Sequence, residues 1–189
     1  MFFKCAHHAP AAETSGHTET VSRNNKHFTV DIHCHIHVPE ADEYVRQESP
    51  EFTGRTMVDS NPITSKINAE QQQTILPKLT DPEIRLKDMD AQGIDVQAIS
   101  TSPFHYNYFF DAEFTRETAR LVNDRIAEVV ASHPDRFVGL GTVPLQNPEM
   151  AVTELDRCID ELGFKGVEIS TNVNGQDLTR AGLEKFFAA

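Results

Sequence analysis

Asp81-Pro82-Glu83-Ile84-Arg85-Leu86-Lys87-Asp88-Met89-Asp90-Ala91-Gln92-Gly93-Ile94-Asp95-Val96-Gln97-Ala98-Ile99-Ser100-Thr101 holds a helix start, a helix stop and a strand in direct succession. The Asp81 carboxylate can accept from the first free backbone N–H groups. Pro82 has the φ of a first helical residue, and Glu83 puts an acid at the positive end of the helix dipole. Ile84, Leu86 and Met89 precede Gly93, a helix stop, so a helix is expected over about 82–92. The β-prone run from Ile94 to Thr101 then reads as a strand that ends at Ser102-Pro103.

The same grammar repeats downstream. A helix begins near Asp111, with Phe114, Leu121, Val122, Ile126, Val129 and Val130 close to a 3.6-residue period, and stops at His133-Pro134. Residues 137–143 form a further strand, closed by Pro144. Asn147-Pro148-Glu149 opens a helix with Val152, Leu155, Cys158, Ile159 and Leu162 on one face before Gly163. Residues 166–170 make a strand after it, and Asp177 can cap a last helix through Phe186-Phe187. Upstream, alternation from His27 to Cys34 gives the first strand, which stops near Pro39. The order βαβαβαβα implies an α/β fold with a parallel sheet and right-handed crossovers, either doubly wound or a barrel. An eight-fold barrel takes typically ~250 residues and at least ~200. Four βα units already use the 189 residues, so a barrel reading expects the N-terminal half of a (β/α)8 TIM-type barrel. The end at Phe187-Ala188-Ala189, in mid-helix, fits that expectation.

Two stretches lack this regularity. Residues 1–27 are polar and aperiodic, with His7, His8, His17 and His27, and read as a disordered or loosely attached leader. The domain proper is then 28–189. Within it, residues 40–80 read as a long loop broken by Pro50, Gly54 and Pro62, of the kind that serves as a lid or stays partly disordered.

Composition narrows the partners. With 17 Lys+Arg against 29 Asp+Glu the net charge is −12, which repels nucleic acid and anionic membranes. No apolar run approaches the ~18 residues of a membrane span or the core of a signal peptide. Cys5, Cys34 and Cys158 form no disulfide framework, and a reducing cytoplasm is the expected location.

Side chains two apart on a strand share a face, so His33 and His35 can reach one ion. Asp31 and Cys34 are not assigned to that face. Imidazole suits zinc, iron and similar divalent ions, and two ligands leave positions for further ligands, water or substrate. His37 continues the alternation as a weaker candidate, because Pro39 ends the strand. Ligands gather at the carboxyl ends of strands in α/β folds, which makes His105 and Tyr106 candidates for a substrate pocket. His133 sits at a helix C-terminus, where an imidazolium suits the dipole. Gly139-Leu140-Gly141 lacks the remaining signature of a phosphate loop, no G-x-S-x-G elbow occurs, and Cys34 reads as strand packing.

Asp31-Ile32-His33-Cys34-His35, the run Arg85 to Gln97, His133-Pro134-Asp135-Arg136-Phe137, Val143-Pro144-Leu145-Gln146 and Gly163-Phe164-Lys165-Gly166-Val167-Glu168-Ile169 resemble the amidohydrolase-related family. That family includes the aminocarboxymuconate-semialdehyde and γ-resorcylate decarboxylases. The resemblance covers about residues 28–189. It implies a barrel holding one divalent metal, usually zinc, on the two first-strand histidines, a later histidine and a final-strand aspartate. It also implies a small carboxylic-acid substrate and nonoxidative loss of carbon dioxide, and it leaves a homodimer open for the complete protein. No histidine follows His133, so the family's proton-handling histidine and closing aspartate have no counterpart here and the catalytic residues stay unassigned. Lys165 lies at the beginning of its strand, the wrong end for the bridging lysine of two-metal relatives. The leading expectation is therefore a carboxy-lyase that is inactive as this chain alone. The rivals are a lactone or amide hydrolase of the same superfamily and a non-catalytic fragment or interaction module.

Overall fold

Strands β1 (Val30–Ile36), β2 (Val96–Thr101) and β3 (Phe137–Gly139) pair side by side, all parallel, in that order. The computed structural model describes residues 27–51, 61–179 and 182–189. The leader expected over 1–27 lies, except for His27, outside them. Helices α3 (Pro82–Gln92) and α4 (Ala112–Ser132) are the crossovers between the strands. Asp81 caps α3 by accepting from Glu83 and Ile84, and Gly93 ends it at φ 70°, in the left-handed region that glycine occupies without strain. The first core layer lies between sheet and helices, where Cys34, Ile36, Ile99 and Phe137 meet Met89, Val122, Ile126 and Val129. Each such buried aliphatic side chain is worth ~1.5–3 kcal/mol.

The third strand is shorter than expected, and Phe164 and Cys158 pack against the glycines at its end. A Cβ at Gly139 would fall 2.4 Å from Phe164 Cδ1, and one at Gly141 2.6 Å from Cys158 Sγ. The two glycines are thus seats for close packing. The fourth strand, expected over 166–170, is reduced to an isolated parallel bridge between Gly141 and Val167. Around it, Lys165 N donates to Gly139 O, Gly141 N to Gly166 O and Glu168 N to Gly141 O, at 2.8–3.0 Å. Side-chain-poor glycines weaken a strand, and the pairing ends with them.

The loop expected over 40–80 is corrected by two helices, α1 (Pro39–Glu48) and α2 (Pro62–Thr80). Pro39 ends the strand by starting a helix. Asn61 caps α2 through Oδ1, accepting from Ile63 and Thr64, as Asp81 caps α3. No α2 residue is buried, so the helix has no apolar stripe to reveal its period.

Helix α5 (Pro148–Asp156) continues in a wider turn, Arg157–Glu161, and packs on α4 through a buried polar network. Asn123 receives the Thr142 N–H and donates to Thr142 O and Glu154 Oε1 at 2.7–2.9 Å. Asp177 does not cap the last helix. It lies in a small antiparallel hairpin of β4 (Asn172–Val173) and β5 (Gln176–Asp177) and accepts from Thr179, while α6 (Glu184–Ala188) starts at Leu183. Among the described residues, no helix is long and apolar enough to cross a membrane.

Candidate metal centre

Strand β1 sets the site. Its pairing with β2 slips between Asp31 and Cys34, so Asp31 leaves the histidine row and its carboxylate accepts from Gln97 at 3.0 Å. Cys34 turns into the core, where its Sγ donates to Ala98 O, and burial followed by Asp31 pushes the thiol up to about 12. It is a packing residue at neutral pH. His33 and His35 project together, ring centroids 5.0 Å apart and nearly perpendicular.

His35 is held in a defined orientation. Its Nδ1 lies 2.8 Å from Thr101 O and 3.2 Å from Ser100 Oγ. A carbonyl only accepts, so Nδ1 carries the proton and Nε2 keeps its lone pair, the arrangement of a metal-binding imidazole. Beneath it, Arg85 donates to His35 O at 2.5 Å and to Gln97 Oε1 at 3.2 Å. The two ends of the Arg85-to-Gln97 run therefore meet under the strand that bears the histidines. Burial lowers the Arg85 pKa, opposed by Cys34 and Asp31.

Across from His35 stands Glu168, a residue that the sequence reading left out of the site. Its Oε2 is 3.6 Å from His35 Nδ1, and its Oε1 accepts from the Tyr106 hydroxyl at 3.1 Å. Burial, then the neighbouring Glu168, raises the Tyr106 phenol so that it stays protonated. Tyr106 stacks on Tyr108 with rings 15° from parallel, making an aromatic wall. Tyr106, a candidate pocket residue, is thus tied through Glu168 to the surroundings of His35. The position of Glu168 at a strand's carboxyl end was the signal that could have found it. Glu168 thus faces the protonated Nδ1 of His35 and links that ring to Tyr106, and His33 and His35 are the two nitrogen donors of the candidate centre.

His105 does not line this wall. It is buried, its Nε2 donates to Asp42 Oδ1 at 3.2 Å, and it stacks on His37 with centroids 4.8 Å apart. His37 Nε2 reaches the other carboxylate oxygen, Oδ2, at 2.9 Å. Burial works against ionisation of Asp42, but hydrogen bonds from His105 and His37 hold its carboxyl well below the usual carboxylate range. Among the described residues, the metal-ligating side chains form a group of three with ligand atoms within 4.8 Å here, at His37, Asp42 and His105. Nothing in the sequence pointed to Asp42, which lies in the stretch without periodicity.

The fold and site have counterparts among known proteins. Residues 30–189 match the amidohydrolase family, and the chain belongs to it. It is 39% identical over 107 residues to a 2-amino-3-carboxymuconate-6-semialdehyde decarboxylase of Dictyostelium discoideum, covering 57% of this chain and 30% of that protein. It is 36% identical over 118 residues to a gamma-resorcylate decarboxylase of a Polaromonas species, covering 62% of this chain and 36% of that one. The crystal structure of 5-carboxyvanillate decarboxylase from Novosphingobium aromaticivorans, with manganese and 4-hydroxy-3-methoxy-5-nitrobenzoic acid, aligns at a TM-score of 0.74 and 28% identity. That alignment covers 92% of this chain and 50% of that chain. The chain spans about a third to a half of the length of these relatives. The architecture is accordingly a partial TIM-type barrel.

Proposed function

We propose that the complete protein is a metal-dependent, nonoxidative decarboxylase of an aromatic or muconate-like carboxylic acid, with His33 and His35 as two ligands of one divalent metal. The observation that carries this reading is the Thr101 carbonyl on His35 Nδ1, which leaves Nε2 as a ligand. The acids acted on by the related decarboxylases support the substrate class. Zinc is the ion expected from two imidazoles, and the manganese in the related structure makes manganese its competitor.

When bound, the metal supplies positive charge that offsets the substrate's carboxylate and neighbouring oxygens. This chain's own residues provide one wall. The protonated Tyr106 hydroxyl, held by Glu168, and the stacked Tyr106–Tyr108 pair offer a flat face to a conjugated acid. Replacing the departing carbon dioxide by hydrogen requires a proton at the substrate carbon. No histidine after His133 is available here to deliver it. The 189-residue chain is therefore expected to be inactive alone, and to hold metal only weakly at His33 and His35.

The test is carbon dioxide release by the full-length protein from hydroxyaromatic and muconate-like acids, after reconstitution with zinc or manganese in parallel. His33→Asn with His35→Asn should abolish turnover and one equivalent of metal. Ring-opened or hydrolysed product without carbon dioxide would replace this reading with the hydrolase one, and turnover by the 189-residue chain would overturn its expected inactivity.

A further inference from the structure

We propose that His37, Asp42 and His105 form a second binding site for a zinc-type divalent cation, separate from the His33/His35 centre. Two nitrogens and a carboxylate converge from three elements: the end of β1, the first turn of α1 and the short turn Pro103–His105 after β2. On an ion with ligand bonds of ~2.0–2.2 Å, neighbouring donor atoms stand about 3–3.5 Å apart. The Nε2-to-carboxylate distances of 2.9 and 3.2 Å already have that spacing.

The two rings stack with centroids 4.8 Å apart, and both Nε2 atoms converge on the one carboxylate. A dication between two neutral imidazoles and a carboxylate satisfies all three groups. The outer nitrogen of His105 has support as well, since Nδ1 lies 3.5 Å from the hydroxyl of Thr101. Thr101 thus serves both clusters, its carbonyl orienting His35 and its hydroxyl facing His105.

The ion would not be sealed in. His37 and Asp42 line a cleft of about 430 Å³ under α2, with Gln71, Leu76, Ser102 and Phe104 on its other walls. Positions left open by three protein ligands would take water or a small anion from that cleft. Binding would also pin α1 to the strand ends, so the cation is a stabilising ligand whatever it does chemically.

The experiment is Co(II) titration of the 189-residue chain, read by visible absorption and by thermal melting, for four proteins. These are the parent, Asp42→Asn, His37→Gln and the double variant His33→Asn/His35→Asn. The leader histidines are common to all four, so differences report the described residues. The parent and the double variant should each show a low-coordinate cobalt spectrum and a rise in Tm of about 5 °C at saturating metal. Asp42→Asn and His37→Gln should lose both, with far-UV circular dichroism unchanged. His37→Gln decides the matter should Asp42→Asn misfold, because His37 lies at the strand end. Parent-like cobalt binding by a folded Asp42→Asn or His37→Gln, or loss of binding in the double variant, overturns the proposal.

Discussion

Residues 61–80 and residues 81–132 are both largely helical, yet they are built on opposite terms. In the second stretch each helix buries a face against the sheet: Met89 in α3, and Val122, Ile126 and Val129 in α4, are at most 3% exposed. In the first, α2 buries nothing and exposes Ile63 at 72% and Ile67 at 48%. The caps are alike, Asn61-Pro62 and Asp81-Pro82, so local chemistry starts both helices and only packing distinguishes them. A helix can therefore be well begun and still contribute little to the core.

That contrast can be broken most directly under the sheet. Arg85→Met removes the donors to His35 O and Gln97 and should cost about 3 kcal/mol in urea unfolding, with the carbonyl left buried. Gly139→Val drives a side chain into Phe164, itself buried and unable to withdraw, and should cost about 2 kcal/mol.

A smaller effect should appear only in alkali. Burial, then Glu154, pushes the Cys158 thiol up to about 12. Below the unfolded thiol's pKa, ~8.5, both states are protonated and the group has no influence on stability. Above it the unfolded chain gains by ionising, so stability should fall as pH rises from ~8.5 towards 12. Alkylation of Cys158 at pH 8.5 should be at least about a hundredfold slower in the folded chain than in urea. Equal rates would mean that α5 opens freely.

The smallest effects should divide the two regions. Asp81→Ala should cost about 1 kcal/mol, because fraying α3 loosens Met89 and Arg85. Ile67→Ala, an aliphatic truncation on α2, should stay within about 0.5 kcal/mol. A cost of ~2 kcal/mol or more at Ile67 would show that α2 has a packed face in solution.

The same division explains what the sequence disclosed. The α3 and α4 boundaries were legible because cap, proline, apolar period and stop coincide, and because those helices owe their pattern to the sheet. The α1 and α2 helices stand where a loop is expected: α1 buries only Ala41 and Val45, and α2 has no buried residue, so Asn61-Pro62 has no periodicity to confirm it. Gly139 and Gly141 carried no signal of their own, since their purpose lies in Phe164 and Cys158, many residues away. At the site, the alternation of His33 and His35 was readable, and so was the strand-end position of Tyr106. His105, with the same strand-end argument, went to Asp42 instead.

By itself, then, the sequence determined the βα order, the parallel sheet and the shared face of His33 and His35, all consequences of short-range periodicity and capping. Only the tertiary structure decided that Thr101 orients His35, that Glu168 links it to Tyr106, and that His37 and His105 meet on Asp42. Apart from His37 with Asp42, those pairings join residues dozens of positions apart. Local propensity carries no information about such contacts, because they exist only once the sheet and the helices have packed.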